Sequence, residues 1–249
     1  MKAIILAAGR GSRLKDLTED RPKCLNQIGG RTLLEWQLSA LRSGGVDEII
    51  IVAGYRSDML SKYNAKIIYN ENWETTNMVR SLMCAENEIK QPVIVSYSDI
   101  LYSAEVVTSL CLQEKDAVVV YDTNWRELWE SRFDNPLEDV ESFKINSDGT
   151  IQDIGLPVTG LEDVQGQYIG LMLYTPVAYE WIKKLLNKES RDVNKMDMTT
   201  LIRGLIQAGH PVYGLAIQGG WCEIDTIYDL ELGNQLYSEG LLKLASGSL

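Results

Sequence analysis

A short apolar run near the start of the chain leads into small residues and then into two cations. From Ile4 the sequence is Ile-Ile-Leu-Ala-Ala-Gly-Arg-Gly-Ser-Arg-Leu, and Lys23 follows nine residues later. Such a run indicates a buried strand, and glycine after it permits a turn whose backbone N–H groups bind an anion. We therefore expect a triphosphate-binding loop with the charges of Arg13 and Lys23 beside it, formed by Leu6, Ala7, Ala8, Gly9, Gly11, Ser12, Arg13 and Lys23.

Two well-known glycine loops do not fit this pattern. A dinucleotide-binding fingerprint needs a third glycine where Leu14 stands. A P-loop needs its lysine directly after the last glycine, whereas Lys23 follows Pro22. The alternative is a plain glycine turn after an edge strand, with Arg13 and Lys23 on the solvated surface.

Two aspartates are candidates for holding a divalent cation. Asp99 follows the predicted strand Val93–Ser96, and Asp225 ends the segment Glu223-Ile224-Asp225. Ligands of open α/β sheets bind at the carboxyl ends of strands, and Mg²⁺ prefers one or two carboxylates with phosphate oxygens and water. Strand alternation turns Glu223 and Asp225 to the same side. For each aspartate the alternative is helix capping or turn formation.

The composition excludes several classes of protein. The 249 residues carry a net charge of -11, which argues against a general nucleic-acid binder. The only histidine is His210, which excludes a His-based triad, and the four cysteines lack metal-type spacing. We find no run that approaches a membrane span and no signal peptide, so we expect a cytoplasmic protein without a membrane partner. A homodimer is one of the assemblies open to it.

Positive charge is concentrated at the N-terminus. Residues 1–31 hold seven basic and three acidic groups, a balance of +4, which leaves -15 for the rest of the chain. A cationic patch on an otherwise acidic protein suits a small anionic ligand, and chance clustering is the alternative.

Strands alternate with helices in the first half of the chain, which predicts a parallel sheet with right-handed crossovers. A helix begins at Thr32, where Glu35 completes a capping box, and further strands are predicted at 49–53, 65–69, 93–96 and 117–121. The connections include short helices at 58–63 and 78–85. The second half contains a hairpin over 142–154, strands at 167–174 and 212–216, and helices at 176–186, 196–208 and from 226 onward. We expect a single α/β domain, 1–249, with a Rossmann-like nucleotide-binding half, 1–122, and an acceptor-binding half, 123–249.

These motifs together resemble the nucleotidyltransferases that activate sugar phosphates and phosphorylated alcohols such as phosphocholine. Their loop is Leu-Ala-Ala-Gly-x-Gly-x-Arg-Leu followed by Pro-Lys, and every fixed position matches here. The family also has an aspartate after its fourth strand and another in a Glu-Ile-Asp-Thr-like segment, which match Asp99 and Asp225. The resemblance covers the chain to beyond residue 229. It implies a GT-A-like fold with a mixed, mostly parallel sheet flanked by helices, and Mg²⁺ held by Asp99 and Asp225.

Two departures from the sugar-phosphate members point to the cytidylyltransferase branch, which serves phosphocholine, aminoethylphosphonate and similar small acceptors. Ser98 stands where those members have glycine, and Thr75–Ser81 replaces their sugar-binding loop. Within the branch the chain is most similar to cytidylyltransferases of bacterial capsule pathways, through Thr76–Val79, Ser96–Ile100, Trp125–Trp129, Arg132–Phe133, Asn135–Asp139, Gln167–Gly170, Met198–Thr199 and Trp221–Asp225.

The resemblance implies attack of an acceptor phosphate on the α-phosphorus of CTP, with release of pyrophosphate. The acceptor would be phosphoglutamine-like, phosphocholine or a phosphonate, and the product would decorate surface polysaccharide. Arg13 would bind the β- and γ-phosphates and Lys23 would bridge the α-phosphate and the incoming phosphate, which makes these two the predicted catalytic residues. Asn77 and Ser98 complete the predicted nucleotide site.

The acceptor pocket is predicted to contain Asn77, Arg132, Lys144, Tyr168 and Glu223. An acceptor carboxylate needs a cation, and an acceptor amine needs Glu223 or an aromatic face. Three tryptophans are candidates for that face, with core packing as the alternative for each: Trp125, Trp129 and Trp221. Asn70 and Asn72 are candidates for contacting the cytosine base.

Two other functions compete with cytidylyl transfer. One is a hexose 1-phosphate nucleotidyltransferase that uses UTP or dTTP. The other is a non-catalytic nucleotide-binding regulatory module. Such a module has no physical need for the whole set formed by Arg13, Lys23, Asp99 and Asp225.

Overall fold

Strands and helices alternate along most of the computed structural model, which describes residues 1–162, 164–188 and 192–244. In these ranges the strands are β1 (Lys2–Ala7), β2 (Gln27–Ile28), β3 (Arg31–Thr32), β4 (Glu48–Ala53), β5 (Lys66–Tyr69), β6 (Val93–Tyr97), β7 (Ile100–Leu101), β8 (Ala117–Asp122), β9 (Glu141–Ile145), β10 (Ile151–Pro157), β11 (Gln167–Tyr174), β12 (Tyr213–Ile217) and β13 (Cys222–Glu223). The α-helices there are α1 (Leu33–Ser43), α2 (Met78–Cys84), α3 (Ala104–Cys111), α4 (Trp125–Arg132), α5 (Pro176–Lys188), α6 (Met198–Gln207) and α7 (Ile227–Ser238). None of these helices combines the length and apolar composition that crossing a bilayer requires.

Seven of the described strands form one sheet, in the order β12-β8-β11-β6-β1-β4-β5. Six of them run in one direction, and β11 is antiparallel to its neighbours β6 and β8. The predicted α/β class, with a mixed and mostly parallel sheet in one domain, is confirmed. The sequence did not indicate that β11 inserts between β6 and β8, so that strands from both halves of the chain share one sheet.

Apolar side chains cover both faces of the sheet, because helices pack on each side of its parallel strands. On one face Ile5 belongs to the same core cluster as Leu34 of α1, and on the other Ile4 clusters with Val79 of α2. All four side chains are fully buried. Burying an aliphatic side chain of this size contributes about 1.5–3 kcal/mol, and this contribution holds the strand ends in place.

Helix starts follow their capping residues. The capping box of α1 is confirmed, since Glu35 N–H donates to Thr32 Oγ1 at 3.2 Å and Thr32 N–H donates to Glu35 Oε2 at 2.8 Å. Helix α6 begins two residues later than expected because Asp197 is its N-cap, with Oδ1 accepting from Thr200 N–H at 2.7 Å. The short helix expected at 58–63 is a 3₁₀ turn over Ser57–Leu60.

The connections after β1 and β6 lead to the same edge of the sheet, because these strands are parallel neighbours. After β6 the chain passes through Ser98 and Asp99 into β7, which pairs antiparallel with β13. In that pairing Ile100 lies opposite Glu223 and Leu101 opposite Cys222. This short ladder brings the C-terminal segment against the end of β6.

Candidate active site

The loop after β1 passes close to Lys23 at a single glycine. Gly11 has a φ of 74°, in the left-handed region that favours glycine. A Cβ atom at Gly11 would lie 2.8 Å from both Cβ and Cδ of Lys23, closer than carbon atoms pack. At Gly9 a Cβ would meet no heavy atom within 4 Å. The two glycines of the motif therefore differ: one is required by packing, and the other leaves open space.

Gly11→Ala is expected to lower the free energy of unfolding by about 1–3 kcal/mol, the usual range for a strained backbone position. The added methyl group would also displace Lys23, whose side chain is held by two ion pairs. Urea unfolding followed by circular dichroism measures the effect. Gly9→Ala is the matched control and should unfold like the parent protein, so equal losses in both variants would contradict this explanation.

Lys23 is buried, and its ammonium lies between two carboxylates. Nζ donates to Asp99 Oδ2 at 2.6 Å and also to Asp225 Oδ1. Burial alone would lower the pKa of Lys23, but the charges and hydrogen bonds of the two aspartates outweigh it and hold the pKa above its usual value. The surface alternative for Lys23 is excluded by this burial. Arg13 joins from the solvent side, with NH1 3.0 Å from Asp225 Oδ2.

Three carboxylates converge beside Lys23. Asp99, Glu223 and Asp225 each offer an oxygen, and these oxygens lie within 4.8 Å of one another. Ile224 N–H donates to the Asp99 carbonyl at 2.9 Å, which joins the two segments. Asp99 Oδ1 is buried and has no hydrogen-bond partner among the described residues. Hard oxygen donors with one of them unpartnered fit a divalent cation, so the two predicted ligands lie together and Glu223 joins them.

Neither aspartate is needed as a helix cap. Helix α7 is capped by Thr226, whose Oγ1 accepts from Asp229 N–H at 3.2 Å, and Asp229 completes the capping box. Helix α3 is capped by Ser103. Capping therefore does not account for Asp99 or Asp225.

Glu223 is held in an environment that disfavours its negative charge. Burial raises the pKa of Glu223 to about 8, with further contributions from Asp225 and Asp99, while Arg132 acts in the opposite direction. A cation bound at this cluster would favour the ionised carboxylate. The cluster is thus short of positive charge even with Lys23 in place.

A first cleft of about 200 Å³ opens at the ends of β1 and β6. Its lining is Leu6, Ala8, Gly9, Gly11, Arg13, Lys23, Trp73, Thr76, Asn77, Met78, Ser81, Ser98 and Asp99. Eight of the ten predicted nucleotide-binding residues are in this lining. Ala7 is not, because its side chain lies in the core, and Ser12 is exposed outside the cleft. That the eight bind a nucleotide stays a prediction.

The far wall of the first cleft comes from residues 73–81. The sequence analysis singled out Thr75–Ser81 as a departure and predicted only Asn77 of this wall as a site residue. Asn70 lies behind this wall, and its Nδ2 donates to Thr76 Oγ1 at 2.9 Å and to Ser81 Oγ at 3.1 Å. Neither Asn70 nor Asn72 lines the cleft. The expectation that they contact the base is therefore corrected: Asn70 positions two side chains of the wall.

A second cleft of about 230 Å³ adjoins the first, and Arg13 lines both. Its lining is Arg13, Tyr97, Trp129, Asp139, Glu141, Gln167, Tyr168, Asp197, Thr199, Glu223 and Asp225. Tyr168 and Glu223 of the predicted acceptor pocket are here. Of the three tryptophans only Trp129 lines this cleft. Trp221 packs in the core and donates from Nε1 to Asp122 Oδ2 at 2.8 Å, and Trp125 is also buried.

Three other predicted acceptor residues lie elsewhere. Asn77 lines the first cleft instead. Lys144 is exposed on β9, because strand alternation buries its neighbour Phe143 and turns Lys144 the other way. The side chain of Arg132 is 1% exposed and pairs with Glu223 and Asp229 behind the second cleft. Lys144 and Arg132 are therefore not placed to contact an acceptor.

The second cleft is rich in carboxylates that the sequence analysis did not assign to it. Burial raises the pKa of Asp139 despite the opposing charge of Arg132, and it raises the pKa of Glu141, with Asp197 adding to the effect. Within the described lining, Arg13 is the only base facing five acids: Asp139, Glu141, Asp197, Glu223 and Asp225. With three aromatic side chains in the same wall, the cleft suits a ligand that carries positive charge. Asp197 is remote in the sequence from Asp139 and Glu141, so no local pattern could have placed these three acids beside the predicted Glu223 and Asp225.

The excess of N-terminal cations does not form one patch. Lys2 pairs with Glu48 and Glu88, and the Arg31 guanidinium stacks 4.2 Å from the Trp36 ring centroid. Of the seven basic groups in residues 1–31, only Arg13 and Lys23 line the clefts. The charge excess was therefore a weaker guide than the spacing of the motif.

A larger cavity of about 430 Å³ lies away from both clefts, beside α3 and β12. None of the residues predicted for the site lines it. We place the active site at the smaller clefts because the buried lysine and the converging carboxylates are there.

Comparisons with known proteins show the family of the chain. The profile of the MobA-like NTP transferase domain matches residues 3–216 of the chain. The chain belongs to this family. As a MobA-like NTP transferase it is 35% identical, over 93% of its own length and 98% of the relative's, to the CTP:phosphoglutamine cytidylyltransferase of Campylobacter jejuni subsp. jejuni. The expected resemblance to cytidylyltransferases of this kind is confirmed, and the protein is a nucleotidyltransferase rather than a non-catalytic module.

Two further matches extend this similarity within the MobA-like NTP transferases and their structural neighbours. The choline-phosphate cytidylyltransferase of Streptococcus pneumoniae is 34% identical over 41% of the chain and 46% of its own length. A solved structure of the CTP:phosphocholine cytidylyltransferase from Streptococcus pneumoniae superposes with a TM-score of 0.73 at 24% identity, over 95% of this chain and 98% of that chain. At that identity the superposition supports the fold alone.

Proposed function

We propose that this nucleotidyltransferase is a Mg²⁺-dependent enzyme that transfers CMP from CTP to a small phosphorylated acceptor and releases pyrophosphate. The observation that carries the proposal is the position of Lys23. Its ammonium contacts Asp99, which lines the first cleft, and Asp225, which lines the second. A donor phosphate in one cleft and an acceptor phosphate in the other would meet at this lysine.

The donor triphosphate fits the first cleft. The open space at Gly9 lets a phosphate approach the backbone, and Arg13 adds a guanidinium that can bind two oxygens at once. Lys23 remains charged because Asp99 and Asp225 hold its pKa up, so it can neutralise the α-phosphate and the incoming phosphate together. Bringing two anions together is the main barrier to this reaction, and charge neutralisation with alignment lowers it.

Asp99, Glu223 and Asp225 would hold the Mg²⁺ ion, which supplies Lewis-acid polarisation of the α-phosphate when bound. Asp99 and Asp225 also hold Lys23 in the cleft in the absence of ligands. A phosphate dianion is already nucleophilic near neutral pH, so the chain needs no general base. The absence of a histidine from the lining of both clefts agrees with this.

The acceptor would carry an ammonium group beside its phosphate or phosphonate. The carboxylates and aromatic rings of the second cleft favour a cation, whereas a hexose 1-phosphate brings no positive charge. A phosphoglutamine-like compound, phosphocholine and an aminoalkylphosphonate share this feature, and the names of the relatives point to the first two. A cytoplasmic location, assembly as a homodimer and use of the product to decorate surface polysaccharide belong to the same proposal.

Pyrophosphate release tests the proposal directly. The purified protein with Mg²⁺ is offered CTP, UTP, dTTP and ATP, each with phosphocholine, phosphoglutamine, 2-aminoethylphosphonate or glucose 1-phosphate. We expect the highest kcat/KM with CTP and an ammonium-bearing acceptor, because that acceptor satisfies the acidic cleft. A reaction without acceptor measures hydrolysis and is the control.

The same panel separates the competing function. Turnover confined to UTP or dTTP with glucose 1-phosphate would contradict cytidylyl transfer and identify a hexose 1-phosphate enzyme. Equal rates with phosphocholine and with glucose 1-phosphate, which has no cationic group, would contradict the role given to the acidic cleft. The proposal that CTP is the donor would still stand.

A further inference from the structure

Arg132, the last residue of α4, is buried beneath the carboxylate cluster and binds two acids at once. Its Nε donates to Asp229 Oδ1 at 2.8 Å and its NH1 donates to Glu223 Oε2 at 3.0 Å. The guanidinium also lies over the rings of Trp129 and Phe133, at 5.3 and 5.0 Å from their centroids. Arg132 lines neither cleft, so it acts on the site only through these neighbours.

Asp229 uses its two oxygens for two different tasks. Oδ1 accepts from Arg132, while Oδ2 accepts from Asp225 N–H at 3.0 Å and from Thr226 N–H at 2.8 Å. Oδ2 also accepts from Thr226 Oγ1 at 2.9 Å. The carboxylate thus fixes the backbone of Asp225 from one side. From the other side, the backbone carbonyl of Asp99 accepts a hydrogen bond from Ile224 N–H.

We propose that Arg132 and Asp229 are positioning residues that hold Glu223 and Asp225 at the junction of the two clefts. Arg132 fixes the carboxylate of Glu223 directly and fixes the backbone of Asp225 through Asp229. The proposal rests on the proposed function only in treating this junction as the reaction centre. It replaces the expectation that Arg132 contacts the acceptor.

The carboxylate of Asp229 is required because donors surround both of its oxygens. Asparagine has the same size but offers one acceptor oxygen and one NH₂ donor. In either orientation of the amide, a donor would face Arg132 or would face the N–H groups of Asp225 and Thr226. Asp229→Asn therefore breaks one half of the network without changing the volume of the side chain.

The test compares Asp229→Asn, Arg132→Met and Arg132→Lys in the full-length protein. We expect Asp229→Asn and Arg132→Met each to lower kcat about 10–100-fold, with the KM for CTP little changed, and to weaken Mn²⁺ binding measured by EPR by a similar factor. Arg132→Lys should lie between the parent and Arg132→Met, because one ammonium cannot reproduce both bonds of the guanidinium. The double variant Arg132→Met/Asp229→Asn should lose less than the product of the two single losses, since both substitutions act on the Arg132–Asp229 pair.

Arg126→Met on the exposed face of α4 is the matched control and should leave all these quantities unchanged. Parent values of kcat and Mn²⁺ affinity in folded Asp229→Asn, with only a lower Tm, would overturn the proposal, as would multiplicative losses in the double variant. If Arg132→Met does not fold, Asp229→Asn and Arg132→Lys decide the question. If the parent does not turn over CTP but the variants still bind Mn²⁺ more weakly than the parent, the proposed function is contradicted and this inference is not.

Discussion

Lys23→Ala is expected to lower kcat by about 10²–10³-fold, the scale of removing one preorganised charge-stabilising group. The loss should fall on kcat more than on the KM for CTP, because Lys23 is assigned to the charge that develops between the two phosphates. Steady-state kinetics under saturating CTP and acceptor measure it. Lys23→Arg should not restore the rate, since a planar guanidinium cannot take the position of an ammonium held between Asp99 and Asp225.

The same variant should also change stability in a way that depends on divalent cations. Without the ammonium, the buried carboxylates of Asp99 and Asp225 lose the cation that lies between them, and only Asp225 still pairs with Arg13. Removing one partner of a buried ion pair costs on the order of 3 kcal/mol. We expect a lower Tm than the parent in EDTA and a larger gain in Tm on adding Mg²⁺ or Mn²⁺. Lys184→Ala on the exposed face of α5 is the control for both measurements. Near-normal turnover of Lys23→Ala would refute the role given to Lys23.

Asp225→Asn is expected to lower kcat by about 10²–10³-fold as well, because the same scale applies to a group that organises charge at the reacting phosphate. Asparagine keeps the shape of the side chain but loses its negative charge, so both the cation site and the pairing with Lys23 weaken. Asp99→Asn should behave alike, since its Oδ2 binds the same ammonium and its Oδ1 has no hydrogen-bond partner in the part of the chain that the structure describes. EDTA should abolish activity of the parent, and Mg²⁺ should restore it.

Mn²⁺ binding followed by EPR separates a cation-binding defect from a general loss of structure. We expect weaker Mn²⁺ binding in Asp225→Asn and Asp99→Asn, and no change in Asp58→Asn, an exposed aspartate of the 3₁₀ turn Ser57–Leu60. Parent-like Mn²⁺ affinity in both cluster variants would remove Asp99 and Asp225 from the proposed cation site. Activity that persists in EDTA would contradict the metal requirement itself.

Local patterns predicted most of the elements and the first half of the site. The alternation of strands and helices, the capping box at Thr32 and the loop from Leu6 to Lys23 are short-range features, and the structure has each of them. The pair Asp99 and Asp225 was also found. Asp99 follows a strand of the main sheet, where ligands bind, and both aspartates match motifs of the nucleotidyltransferases. The sequence analysis did not recognise Asp197 as an N-cap, and the predicted start of α6 was therefore wrong by two residues.

The acceptor side could not be predicted in this way. Asp139 and Glu141 are two residues apart, but Asp197 lies in a remote part of the chain, and only the tertiary structure brings the three into one cleft. Arg132 was misassigned for the same reason, since an arginine near a predicted pocket gives no sign that its partners are buried acids. Lys144 was misassigned because what packs against β9 decides which of its side chains are buried and which are exposed.

The sequence by itself determined the glycine loop from Leu6 to Lys23, with its two cations Arg13 and Lys23, and the class of fold, because these depend on residues close together in the chain. Only the tertiary structure decided that Lys23 lies between Asp99 and Asp225, that Glu223 joins them and that an acidic cleft opens beside Arg13. The interaction between charged groups depends on their distance in space and not on their separation in the sequence. The pairing of β7 with β13 brings Glu223 and Asp225 close to Asp99.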